Sequence, residues 1–156
     1  MSEQANEKIV VEDLDSGFRD EVARVPGGEN IMKCFACGTC AAGCPVTQVD
    51  EEYNCRKIIR QILLGLRKEV LTSPLIWLCA MCYRCTARCP QAVNFTDVMR
   101  ALRFLAVRDG FAQPDMLASN EEVDRLAQLV RRDLIKGATD GRKEVIEQLK
   151  AKIRRA

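Results

Sequence analysis

Eight of the chain's nine cysteines form two copies of one run. Cys34, Cys37, Cys40 and Cys44 precede Pro45, Cys79, Cys82, Cys85 and Cys89 precede Pro90, and each cysteine recurs 45 positions later. Both copies read C-x2-C-x2-C-x3-C-P, the bacterial-type run that holds a cubane [4Fe-4S] cluster. Any scaffold for this chain must therefore bring two such loops together. The chemistry such a pair supplies is one-electron transfer.

The spacing has a physical reason. Thiolates at i, i+3 and i+6 on a tightly wound loop can face three irons of one cube. The fourth cysteine cannot readily turn back, because the proline after it removes an N–H and fixes the chain's direction. In two-cluster proteins it serves the other cube. We therefore assign Cys34, Cys37, Cys40 and Cys89 to one cluster, and Cys79, Cys82, Cys85 and Cys44 to the other. Structural zinc is the competing reading. Zinc sites use separated pairs, often with histidine, whereas here the quartets are unbroken and the chain has no histidine. Disulfides suit secreted chains, and this one reads as cytosolic. No ligand position lacks cysteine, so two [4Fe-4S] clusters are the simplest count.

The length of 156 residues suits one domain with helical arms. A net charge of +2 gives no argument for nucleic acid. The charge is uneven: residues 1–33 carry four basic and eight acidic side chains, and residues 131–156 carry nine basic and four acidic. Opposite-signed ends suit docking surfaces, although solvated helix faces explain most such asymmetries. Met1-Ser2-Glu3-Gln4 has no basic or apolar signal segment. No apolar run approaches the roughly 18 residues of a membrane span. A soluble, cytoplasmic protein is expected, one able to sit beside a membrane complex.

Three segments are expected: an N-terminal arm and short helix over 1–33, a dicluster domain over 34–115, and a C-terminal helical extension over 116–156. Residues 8–11 read as a short strand or extended arm. Asp15 or Ser16 opens a helix through Arg24, stopped by Pro26-Gly27-Gly28. Residues 53–71 predict one amphipathic helix, with Ile58, Ile59, Ile62, Leu63 and Leu66 on one face. Ser73-Pro74 starts a short helix through Trp77. The insert between the quartets is thus helical rather than βαβ-like, and the fold is mainly α. Asn94 or Thr96 caps a helix with Val98, Met99, Leu102, Leu105 and Ala106 inward, closed by Gly110. Ser119 or Asn120 opens another, ended by Gly137, and a last helix follows Asp140-Gly141. This polar tail is expected to pack on the cluster domain or a partner, or to fray.

Around the ligands, Gly38 and Gly43 either let backbone N–H groups approach sulfur or simply serve turn geometry. Arg84 and Arg88 add positive charge to the second quartet, unless they face solvent or carboxylates. Because Arg84 lies between two ligands, the second-quartet cluster is expected to have the higher potential. Phe35, Trp77 and Tyr83 flank ligands as shields or as ordinary core and rim aromatics. Cys55 shares a helical face with Ile58, Ile59 and Ile62 and reads as a buried small apolar residue. No acid–base histidine, GxSxG, P-loop or GxGxxG is present, so no catalytic residue is assigned.

Cys34-Phe35-Ala36-Cys37-Gly38-Thr39-Cys40 through Cys44-Pro45-Val46, the Arg56-Lys57-Ile58-Ile59-Arg60 helix, and Ile76-Trp77-Leu78-Cys79 through Cys89-Pro90-Gln91 resemble the C subunit of heterodisulfide reductase over roughly residues 8–110. The quartets are shared with a wider α-helical ferredoxin group that includes succinate dehydrogenase and glycolate oxidase iron–sulfur subunits. The resemblance implies an α-helical ferredoxin with two cluster-binding loops and appended C-terminal helices. It implies a non-catalytic electron-transfer subunit. Such a chain relays electrons between the flavin and iron–sulfur A subunit and the catalytic, disulfide- or sulfur-converting B subunit. The second expectation is an iron–sulfur subunit linking a soluble oxidoreductase to a membrane cytochrome b or quinone site. The 33 residues before Cys34 leave no room for the plant-type [2Fe-2S] domain of succinate dehydrogenase.

Overall fold

The structure is a computed structural model that describes residues 11, 14–141 and 143–153. The strand or arm expected over 8–11 lies, apart from the exposed Val11, outside the described residues. Among the described residues the chain is helical, with no strand. It divides into two compact units, Met1–Pro114 and Asp115–Ala156.

In the first unit, α1 (Phe18–Arg24) leads through a 3₁₀ turn, Ile31–Lys33, into the first cysteine loop. That loop holds the single-turn α2 (Thr39–Ala42). Next come α3 (Cys55–Leu64), α4 (Arg67–Thr72) and a 3₁₀ turn, Pro74–Trp77, in which the Ser73 hydroxyl accepts from the Leu75 N–H as expected of a cap. The second cysteine loop holds α5 (Arg84–Arg88), and α6 (Phe95–Arg108) closes the unit. α2 packs on α5, α3 on α1 and α4, and α6 on α4, α5 and the Pro74–Trp77 turn. One buried core runs through Phe18, Ile31, Tyr53, Ile58, Ile62, Leu71, Phe95, Met99 and Leu102, and includes Cys44, Cys79 and Cys85. The apolar faces predicted for α3 and α6 are the ones that point into it.

The helix predicted over 53–71 is in fact two. It begins at Cys55, with the Asn54 side chain accepting from the Lys57 N–H at 3.1 Å, and it breaks at Gly65. That glycine has φ 83° and its N–H and that of Leu66 bond back to Ile62 and Gln61, a helix-ending pattern that favours glycine. A side chain there would also strike the Asp15 backbone, whose N–H donates to the Gly65 carbonyl at 2.9 Å. α4 then presents Arg67 to Asp15, Glu21 and Asp109, with its guanidinium over the Phe18 ring. Arg67 first, and then Arg108, hold the Glu21 carboxyl below its usual range, and Arg108 first and then Arg67 do the same for Asp109. This cluster clamps the N-terminal segment to the ends of α4 and α6.

In the second unit, α7 (Met116–Thr139) packs on α8 (Lys143–Ile153). α7 starts earlier than predicted, after Asp115, and runs through Gly137 instead of stopping there. Gly137 is its one buried residue among those described. An interior glycine weakens a helix by only about 1 kcal/mol, too little to end a 24-residue one.

Candidate metal centre

The two cysteine loops share a backbone shape as well as a spacing. Ala36 and Gly38 in the first, and Met81 and Tyr83 in the second, all have positive φ, at 60°, 84°, 47° and 59°. These are the same two positions 45 residues apart. Left-handed residues there turn successive N–H groups toward the inside of the loop, forming a concavity suited to anions and iron–sulfur centres. The N–H of Ala36 is turned to the Cys34 sulfur and that of Met81 to the Cys79 sulfur. Further polar groups lie against sulfur: Thr39 Oγ1 is 3.3 Å from Cys37 Sγ, Thr96 Oγ1 is 3.3 Å from Cys85 Sγ, and the Val93 N–H donates to Cys89 Sγ at 3.4 Å. The Thr39 and Thr96 contacts favour a thiolate, the form that binds metal, at Cys37 and Cys85.

Cys34, Cys37, Cys40 and Cys89 line one cavity with 410 Å³ of empty space, counted with the solvent at its mouth. Arg56, Ile59, Val93 and Phe95 complete its wall, and Cys85 reaches it from the other set. Cys79, Cys85 and Cys44 are buried in the core, with Cys82 exposed beside Cys85. Burial pushes the Cys34, Cys79 and Cys85 thiols up, whereas the Thr39 hydroxyl holds Cys37 down. An all-thiol donor set spread around a cavity, with inward N–H groups, fits a cluster in which each iron takes one sulfur. The eight cysteines are the residues that would hold two such groups, which supply reversible one-electron transfer when bound.

The structure also places the neighbours of the ligands. Cys55 is buried, as expected, and it lies beside Cys40, which lowers the Cys40 thiol and raises that of Cys55. Gly43 has an ordinary backbone. Its missing side chain leaves room for the Arg88 guanidinium, which a Cβ would meet at 2.2 Å. Arg84 is exposed. Phe35 and Tyr83 stand at the surface as rim aromatics, Phe35 at the edge of the cavity; the Tyr83 hydroxyl donates to Asp97 at 3.2 Å.

Arg103 and Tyr53 were missed. Arg103 is only 6% exposed. Its Nε donates to the Ile76 carbonyl at 2.9 Å, and its Nη2 to those of Trp77 at 3.2 Å and Cys79 at 2.9 Å. It fixes the chain entering the second loop and sets a buried positive charge beside Cys79. The available signal was a charge inside the apolar stripe of α6, four residues after Met99.

A family model described as a 4Fe-4S dicluster domain matches residues 30–93. The domain indicates two [4Fe-4S] clusters. Among curated relatives, the C subunit of H(2):CoB-CoM heterodisulfide,ferredoxin reductase from Methanothermobacter thermautotrophicus is 36% identical over 112 residues, 71% of this chain and 60% of that protein. An Archaeoglobus profundus protein, named as similar to the C subunit of heterodisulfide reductase, is 40% identical over 89 residues, 57% of this chain and 47% of that protein. The C subunit of ferredoxin:CoB-CoM heterodisulfide reductase from Methanosarcina mazei is 41% identical over 88 residues, 56% of this chain and 53% of that protein. The chain thus spans between about half and three fifths of the length of these relatives.

Proposed function

We propose that this chain, a homologue of the heterodisulfide reductase C subunit built on a 4Fe-4S dicluster domain, is the electron-transfer subunit of a heterodisulfide-reductase-like complex. It takes electrons from, or gives them to, a flavin and iron–sulfur protein like the A subunit of such complexes. At its other side it serves a partner like their B subunit, where a disulfide or related sulfur compound is converted. The chain itself is a conduit, with no catalytic residue of its own. It works in the cytoplasm, alone or beside a membrane complex. Among the described residues no helix is long and apolar enough to cross a membrane.

The observation that carries this reading is the shared cavity of Cys34, Cys37, Cys40 and Cys89. One loop completes the other's ligand set, so two redox centres lie side by side in one small core. Cys37 and Cys82 are the exposed members of the two quartets, giving each centre a way out to a partner surface. Anaerobic purification of the native complex tests the proposal. A flavoprotein and a second iron–sulfur protein should copurify with the chain, and the isolated chain should take up electrons without reducing any disulfide. Disulfide turnover by the isolated chain would overturn it.

A further inference from the structure

Tyr53 carries the polar atom the fold leaves stranded. Among the described residues its hydroxyl is the only buried side-chain nitrogen or oxygen with no hydrogen-bond partner. The residue is 0% exposed, and its backbone is held on both sides. Its N–H donates to Asp50 at 3.2 Å, and its carbonyl accepts from Thr47 Oγ1 at 2.9 Å. Enclosed in the core on an anchored backbone, the ring keeps its oxygen away from water. A buried hydroxyl without a partner destabilises the fold, and phenylalanine would fill the same space without that penalty.

The hydroxyl lies in the buried core beside the Cys79 sulfur, with Cys55 and Cys44 also close enough to act on it. The oxygen sits beside the Cys79 sulfur without yet making a bond of ordinary geometry to it. The Thr96 hydroxyl, by contrast, is already engaged with Cys85 and Thr86. A protonated thiol is a poor acceptor, whereas a ligand thiolate is a good one.

We propose that the Tyr53 hydroxyl donates a hydrogen bond to the Cys79 sulfur once that sulfur is a cluster ligand, and that Tyr53 is thereby a positioning residue that raises this cluster's potential. The inference rests on the two-cluster reading, since it needs Cys79 as a thiolate ligand. Reduction adds negative charge that spreads onto the ligand sulfurs. A donor at one of them stabilises the reduced form, and hydrogen bonds to sulfur are among the determinants of cluster potential. The phenol carries its proton at neutral pH, because an ordinary tyrosine ionises only near about 10.

The test uses the full chain, loaded anaerobically, as wild type and Tyr53→Phe. Iron and acid-labile sulfide are counted, and both couples are followed by paramagnetic resonance during a redox titration. Tyr53→Phe should keep its iron and shift one couple to a more negative value, by about tenfold in the reduction equilibrium or ~59 mV for a one-electron couple. The other couple should not move. Full iron with both couples unchanged overturns the proposal and leaves the cluster reading intact. A wild-type chain that takes up no iron overturns both. If Tyr53→Phe fails to hold iron, fluorotyrosine incorporated into a Tyr83→Phe chain decides: the more acidic phenol at position 53 is a stronger donor and should shift one couple to a more positive value. Couples that match those of unlabelled Tyr83→Phe would overturn the proposal.

Discussion

The loop of Cys34–Cys44 and the loop of Cys79–Cys89 have one spacing and bend at the same two positions, yet the protein surrounds them differently. The first places Cys34, Cys37 and Cys40 at or near the surface beside an exposed Phe35. It bends at Gly38, over which Arg56 lies. The second buries Cys79 and Cys85, bends at Tyr83, and is tied to α6 by Asp97, Thr96 and Arg103. The proposed crossed ligand sets would sharpen the contrast: Cys89, half-buried, would join the more exposed set, and the buried Cys44 the more buried one. A duplicated motif sets the local backbone, while non-local packing sets dielectric, hydrogen bonding and nearby charge. Those three quantities adjust a cluster's potential.

The largest expected effect breaks the comparison at its ligands. Cys89→Ser should lower iron from about eight to about four per chain. The spectrum that survives should match that of Cys37→Ser. Cys44→Ser should leave the spectrum that survives in Cys82→Ser. If Cys89→Ser instead matches Cys82→Ser, each quartet serves its own cluster and the crossed assignment falls.

Next in size is Arg103. Hydrogen bonds to a charged group contribute about 1.5–3 kcal/mol each, and Arg103 makes three to carbonyls leading into the second loop. Arg103→Met should lower the unfolding free energy by about 3 kcal/mol or more, measured in denaturant. Under a chelator, the cluster that depends on Cys82 should be lost before the one that depends on Cys37. Equal loss rates would mean that Arg103 supports the whole core and not one loop.

Smaller still is the difference between the two bends. A left-handed conformation costs a non-glycine residue roughly 1–2 kcal/mol. Gly38→Ala should therefore destabilise by about 1 kcal/mol or more. Tyr83→Gly should be close to neutral, because relief of the same strain offsets loss of the hydroxyl bond to Asp97. Thermal unfolding of both variants measures this. A large loss in Tyr83→Gly would show that the Asp97 and Arg100 contacts, and not the backbone, set that bend.

What could be read from the chain follows the same division. The cysteine spacing is local, and so are the apolar stripes of α3 and α6, and from these the mainly α scaffold followed. The break at Gly65 was not legible, because a glycine inside a helical pattern is tolerated unless something distant uses the turn. Here that something is the Asp15 backbone. Tyr53 read as the first residue of an amphipathic helix. It precedes that helix, and only the assembled core shows its hydroxyl among sulfurs. Arg103 left a trace as a charge among inward residues, but its carbonyl partners lie 24 to 27 residues away.

The smallest effect separates two arginines near the second loop. Arg84 lies between Cys82 and Cys85, and its position predicts a higher potential for that cluster. The side chain is exposed, however, whereas Arg103 is buried beside Cys79. At about 0.15 M salt an exposed charge is screened over ~8 Å, while a buried one acts through a low dielectric. Arg84→Ala should therefore leave both couples unmoved at that ionic strength and shift the Cys82-dependent one slightly negative only at low salt. Redox titration at two salt concentrations reads the difference. A shift in Arg84→Ala that persists at high salt would place the asymmetry within the loop's own sequence. No shift would leave it to the residues that α6 and Tyr53 bring to the second loop from outside.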